Sequence, residues 1–159
     1  MQARIRQTCL FAVVALGVVV VLAGTTLAQS VGIWKLNLAE SKYNAGTPPT
    51  STTLVYEAAG AGIKVTVDSV APDGAMVHYT YTANYDGKDN PVVGNPNADM
   101  ATRTRVNATT TEGVTKKGGK IMTNGTYVVS SDGKRMTITT KGTDATGATV
   151  DNVTVWDKQ

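Results

Sequence analysis

Apolar and polar residues alternate from Gly32 to Leu38 (GIWKLNL), the period-two mark of a half-buried strand. Further short runs rich in Thr, Val and Tyr follow at Thr52–Ala58, Ile63–Val70, Met76–Tyr85, Lys88–Val93, Met100–Val106, Thr110–Lys116, Lys120–Val129, Lys134–Lys141 and Val150–Trp156. Turn pairs separate many of them: Asp73-Gly74, Asp86-Gly87, Gly118-Gly119, Asp132-Gly133 and Thr146-Gly147. Asp-Gly and Gly-Gly suit two-residue hairpin loops, where both central residues need positive φ. Regular turns between β-favouring runs predict an antiparallel meander of about ten strands. Pro91 marks Lys88–Val93 as an edge or bent strand. Ala39–Thr50, with Pro48-Pro49, reads as the longest irregular stretch near the start, a lid or a cover for one end.

Consecutive hairpins favour strands that pair in chain order. The expected fold is therefore all-β, an up-and-down meander closing into a barrel, with a two-sheet sandwich as the competing architecture. Composition agrees. Thr is abundant, Leu is absent after residue 54, and no segment beyond residue 28 carries an apolar stripe at helical spacing. Beyond turn spacing there is no self-similarity that would mean a propeller or solenoid.

Residues 1–28 are of different material. Arg4 and Arg6 precede the apolar run Leu10–Ala23, and Thr26-Leu27-Ala28 supplies small residues before Gln29. This is the layout of a cleaved secretory signal, and the run is short of the roughly 20 residues that span a bilayer. Residues 29–159 are then one exported domain, periplasmic or secreted, with no membrane span. Cys9, the only cysteine, leaves with the signal. The net charge of +3 includes those two arginines, so +1 remains without them. No basic stripe interleaves with aromatics, which argues against nucleic acid as a partner.

Catalytic chemistry finds little support. His78 is the only histidine, lies out of phase with Val77, Tyr79 and Tyr81, and has no Gly-x-Ser-x-Gly elbow beside it. A single histidine and no remaining cysteine make zinc unusual. Asp86, Asp89 and Asp99 fall near loops, where turn chemistry explains them without calcium. No catalytic residue, metal ligand or cofactor is assigned. The aromatic residues are more informative. Tyr79, Tyr81 and Tyr85 share one face of one strand, with Tyr56 and Tyr127 on others. Tyrosine has an apolar ring and a polar tip, and suits either a pocket wall or a core. Arg103 and Arg105 share a face. An interior placement would let them hold a carboxylate. Burying them unpaired is expensive, which favours the exterior.

Gly32-Ile33-Trp34-Lys35-Leu36 resembles the Gly-x-Trp first strand of the calycin superfamily, the lipocalins and fatty-acid-binding proteins. The chain also resembles a family of small exported bacterial lipocalin-like proteins. The likeness runs through Trp34–Lys42, Gly94-Asn95-Pro96, Lys116–Lys120, Ser131–Lys134, Lys141–Asp144 and Val153–Gln159. The resemblance implies a calycin-like barrel with an internal pocket. In calycins the tryptophan closes one barrel end, often under a basic side chain of the last strand; Lys158 is the residue that strand offers here. The two short helices that cover a fatty-acid-binding barrel have no counterpart, because Ala39–Thr50 is too short for them.

The expectation is a non-catalytic barrel that binds a small hydrophobic or amphipathic molecule, with Tyr79, Tyr81, Tyr127 and then Arg105 lining the site. The alternative is an interaction or inhibitor module with a filled core, recognising a protein through the Ala39–Thr50 and Gly94–Asp99 loops. Cavity volume separates them. A pocket of roughly 300 Å³ or more favours the first, and a packed interior the second.

Overall fold

The computed structural model describes residues 29–159. Both the proposed signal segment and Cys9 lie outside them. Eleven strands follow in chain order: β1 (Gly32–Tyr43), β2 (Ser51–Ala59), β3 (Gly62–Val70), β4 (Met76–Ala83), β5 (Asn90–Val93), β6 (Met100–Ala101), β7 (Thr104–Arg105), β8 (Thr110–Lys117), β9 (Lys120–Val129), β10 (Arg135–Thr143) and β11 (Thr149–Lys158). The sheet runs β6-β5-β4-β3-β2-β1-β11-β10-β9-β8-β7, and β6 also pairs with β8. That extra pairing joins the two ends of the meander. The fold is an antiparallel, closed barrel of ten strands, with the two-residue β7 appended to β8. Closure leaves few unpaired backbone edges to invite aggregation.

The aspartates of the turns act as local acceptors. Asp73 Oδ1 takes the N–H of Ala75, Asp132 Oδ1 that of Lys134, and Asp144 Oδ1 those of Thr146 and Ala148. Such Asx geometry is why aspartate suits these positions.

Period-two alternation sends Leu54 and Tyr56, Ile63, Val65 and Val67, and Met136 and Ile138 into one core with Trp34 and Trp156. Trp34 is fully buried at one barrel end. Its Nε1 donates to the Ser30 carbonyl at 2.8 Å, and Lys158 Nζ sits 5.2 Å from its ring centroid. Lys158 also donates to the Gln29 carbonyl at 3.0 Å. A tryptophan under a basic residue of the last strand thus closes this end.

The structure corrects three sequence boundaries. Ala39–Thr50 is not wholly irregular, because β1 continues to Tyr43 and pairs with β11 beyond a bulge between Asn37 and Lys42. Ser41 stabilises the bulge: its hydroxyl donates to the Asn37 carbonyl and accepts the Val155 N–H. The bulge breaks the alternation and leaves Leu38 exposed. β4 stops at Ala83, so Tyr85 lies beyond the strand and has a positive φ of 59°. Met100–Val106 is split, with Thr102 and Arg103 between β6 and β7.

Trp34 should anchor the closed end. Trp34→Ala is expected to destabilise the fold by about 3–5 kcal/mol, read from urea unfolding. A loss below about 1 kcal/mol would show that the end plug is dispensable.

Candidate functional site

The barrel is hollow. A cavity of about 430 Å³ occupies its interior, which overturns the filled-core alternative. Leu54, Val65, Val67, Met122, Ile138 and Trp156 form apolar wall, and Tyr56, Tyr79, Tyr81, Tyr127 and Arg103 bring polar tips. At the end opposite Trp34 the wall includes Asn95–Ala98 of the β5–β6 loop and Thr143 and Asp144 of the β10–β11 hairpin. These two loops touch where Ala145 N donates to Asn97 Oδ1 at 3.2 Å.

Arg103 is the centre of the polar cluster. Only 4% of its surface is exposed. Its Nε and Nη2 donate to the Tyr81 hydroxyl at 3.1 and 2.5 Å, and its guanidinium lies 3.4 Å from the Tyr127 ring centroid. Among the described residues no carboxylate pairs with it. The exterior reading of Arg103 is therefore wrong. The general penalty for burying arginine is met here by hydroxyl and ring partners instead of an acid.

The local backbone explains how it enters. Across the gap between β6 and β7, Thr102 N donates to Val114 O, and Val114 N donates to Thr102 Oγ1. Behind the guanidinium, Gly113 of β8 faces Gly125 of β9 in the ladder. A Cβ on Gly113 would stand 2.9 Å from the Thr102 carbonyl oxygen and 3.3 Å from Arg103 Nη1, and one on Gly125 would stand 2.9 Å from the Tyr127 hydroxyl. Two paired glycines thus make room for the stacked Arg103 and Tyr127. Glycine inside a strand often marks such a close approach, and this was the available sequence signal for Arg103.

Burial raises the hydroxyl pKa of Tyr56, Tyr79 and Tyr81 above the ordinary tyrosine value, against the lowering pull of Arg103. They remain protonated donors at neutral pH. Burial pulls the Arg103 pKa down, but the facing Tyr127, Tyr81 and Tyr56 more than offset this, so it stays a cation.

Tyr79, Tyr81 and Tyr127 all line the large cavity. Arg105 does not join them. It is half-buried beside a separate chamber of about 30 Å³, lined also by Gln29, Ser30, Tyr85 and Thr109. Its guanidinium lies 4.8 Å from the Tyr85 ring centroid. Tyr56, Arg103 and Tyr127 border both spaces. His78 is on the outside, with Nδ1 2.6 Å from Asp68 Oδ1. Asp89 pairs with Lys116 at 2.8 Å. Among the described residues no cluster of three or more His, Cys, Asp or Glu is placed to hold a metal.

No family model matches the chain, and no curated protein matches it in sequence. Solved structures with similar shape include zebrafish ileal bile acid-binding protein complexed with cholic acid, with 13% identity over 82% of this chain and 99% of that one and a TM-score of 0.48. The amine-binding protein of Rhodnius prolixus in its tryptamine complex has 14% identity over 79% and 62% of the two chains and a TM-score of 0.43. The siderocalin Ex-FABP has 11% identity over 82% and 74%, with a TM-score of 0.39. Likenesses this distant say nothing of what the present chain binds.

Two outcomes test the cluster. Unfolded tyrosines ionise near pH 10, whereas Tyr56, Tyr79 and Tyr81 hold their protons to higher pH. Their contribution to stability is complete below about pH 10 and is lost as pH rises further, because the unfolded chain then sheds protons that the native state keeps. The urea midpoint should fall as pH rises above about 10, less steeply in Tyr79→Phe. Arg103→Met should change stability by less than about 1 kcal/mol, since removal of a buried charge offsets the hydrogen bonds lost by Tyr81. A loss above about 3 kcal/mol would make Arg103 a structural residue.

Proposed function

We propose that this protein is an exported β-barrel that takes up a small, partly apolar molecule in its interior and performs no covalent step on it. The observation that carries the reading is the 430 Å³ cavity, apolar on most of its wall and polar at one cluster. Native cores are packed with few voids larger than a water molecule, and a space of this size is what a ligand-binding interior needs. Burial of the ligand's apolar surface would supply affinity, while Tyr79, Tyr81, Tyr127 and Arg103 would set its orientation. Arg105 takes no part in this site, because it borders the small chamber. The β5–β6 and β10–β11 loops would frame entry at the end away from Trp34. For export, the support is the basic start, apolar run and small residues of positions 1–28, with cleavage after Ala28 and release to the periplasm or medium.

Native mass spectrometry of the protein purified from its own host tests both parts. The expected spectrum shows a chain that begins at Gln29 and carries a reproducible extra mass, lost on denaturation. A ligand-free mass that does not shift on adding fatty acids or other hydrophobic metabolites would overturn the binding reading. A chain that retains residues 1–28 would overturn cleavage.

A further inference from the structure

Cleavage after Ala28 would make Gln29 the first residue of the chain, and the fold gives that residue a fixed place. Gln29 is half-buried at the closed end of the barrel. Its carbonyl accepts from Lys158 Nζ at 3.0 Å, and the next carbonyl, that of Ser30, accepts from Trp34 Nε1 at 2.8 Å. Its side chain lies toward the β9–β10 turn, where a Cβ on Gly133 would stand 3.9 Å from Gln29 Cγ. The new amino terminus is therefore docked against the end plug. It also enters a cationic corner. Arg105 borders the chamber that Gln29 lines, and Lys158 has a carbonyl and a ring as partners but no carboxylate among the described residues. Asp132, the carboxylate beside Gly133, is committed to Ser130 Oγ and the Lys134 N–H of its own turn. Three bonds separate a residue's nitrogen from its own carbonyl oxygen, so the two lie no more than about 3.6 Å apart. The α-amine of Gln29 then falls within about 7 Å of Lys158 Nζ, inside one Debye length at physiological salt.

Resting on the cleavage reading above, we propose that Gln29 is a modification site: the mature amino terminus closes on its own side chain to a pyroglutamyl lactam, and Lys158 primes the step. The lone pair of the neutral α-amine attacks Cδ of the side-chain amide. The Nα–Cδ bond forms, the Cδ–Nε2 bond breaks, and Nε2 leaves as ammonia with a proton taken from Nα. No oxidant, metal or second substrate enters the balance. Only the neutral amine is a nucleophile, and a nearby like charge favours that form. Closing a five-membered ring within one residue has the advantage of any reaction whose partners are already held together. The product keeps the Gln29 carbonyl, so the Lys158 hydrogen bond survives. It also removes the terminal cation from beside Lys158 and Arg105. The consequence is a closed end that carries no free amine, with its first residue tied to the last strand.

The intact mass of the protein from its own host, measured under denaturing conditions, reads the modification directly. The expected chain starts at Gln29 and is lighter than its sequence by one ammonia, about 17 Da. A chain of full mass starting at Gln29 would overturn the modification and leave cleavage standing. A chain starting elsewhere would overturn the cleavage reading and the modification with it. A time course tests Lys158. Residues 29–159 are produced behind a removable tag that leaves Gln29 first, and ammonia loss is followed by mass at neutral pH with no added enzyme. The folded wild type is expected to convert about threefold or more faster than Lys158→Gln, and Lys158→Arg to restore the rate. Should Lys158→Gln fail to fold, wild type unfolded in guanidinium chloride takes its place, since unfolding separates Lys158 from the amine; the same slowing is expected. Equal rates with and without the Lys158 charge beside the amine would overturn the priming role.

Discussion

Everything inside this barrel depends on a short seam. Ten strands pair in an unbroken meander, but the ring closes only through β6 and β8, where Met100 faces Lys116 and Ala101 faces Thr115. Neighbouring contacts extend the seam: Asp99 N donates to Lys116 O, and Thr102 N to Val114 O. Without closure the inner face would be one side of an open sheet, with no water-excluded volume to offer a ligand. Immediately beyond the seam the chain leaves regular pairing, and Arg103 turns inward there. Closure and polar chemistry thus meet at one point of the sequence.

Arg103 shows how such a barrel tolerates a buried cation. Stacking on Tyr127 and bonds to Tyr81 replace part of the lost hydration, and the paired Gly113 and Gly125 leave room for the flat groups. Among the described residues its partners are all neutral, and no carboxylate compensates the charge. A core selected for stability alone would place an apolar residue there.

Much of the fold was legible along the chain. Period-two runs and Asp-Gly or Gly-Gly turns located nearly all strands, because both depend on neighbours a few residues apart. The errors share a cause. The bulge in β1 depends on Ser41 meeting Val155 of a distant strand. A second irregularity, where β8 meets β9 at Thr115 and Lys116, lets Met122, Gly125 and Tyr127 all turn inward although their numbering breaks alternation. Neither feature has a local signature strong enough to read.

The candidate site divides along the same line. Alternation was enough to put Tyr79 and Tyr81 on one face of one strand, since side-chain direction follows strand period; it also put Arg103 and Arg105 on one face of a single strand, but Arg103 lies in the irregular link between β6 and β7. Which of those faces looked inward, and that Arg103 would meet Tyr81 while Arg105 met Tyr85 in a separate chamber, depended on ring closure between residues far apart in sequence. A strand's period is a property of its own backbone, but a cavity is a property of the closed sheet. The chain therefore dictated an all-β meander with tyrosines and arginines on defined faces, and tertiary closure alone made the interior hollow and gathered its polar groups around one buried charge.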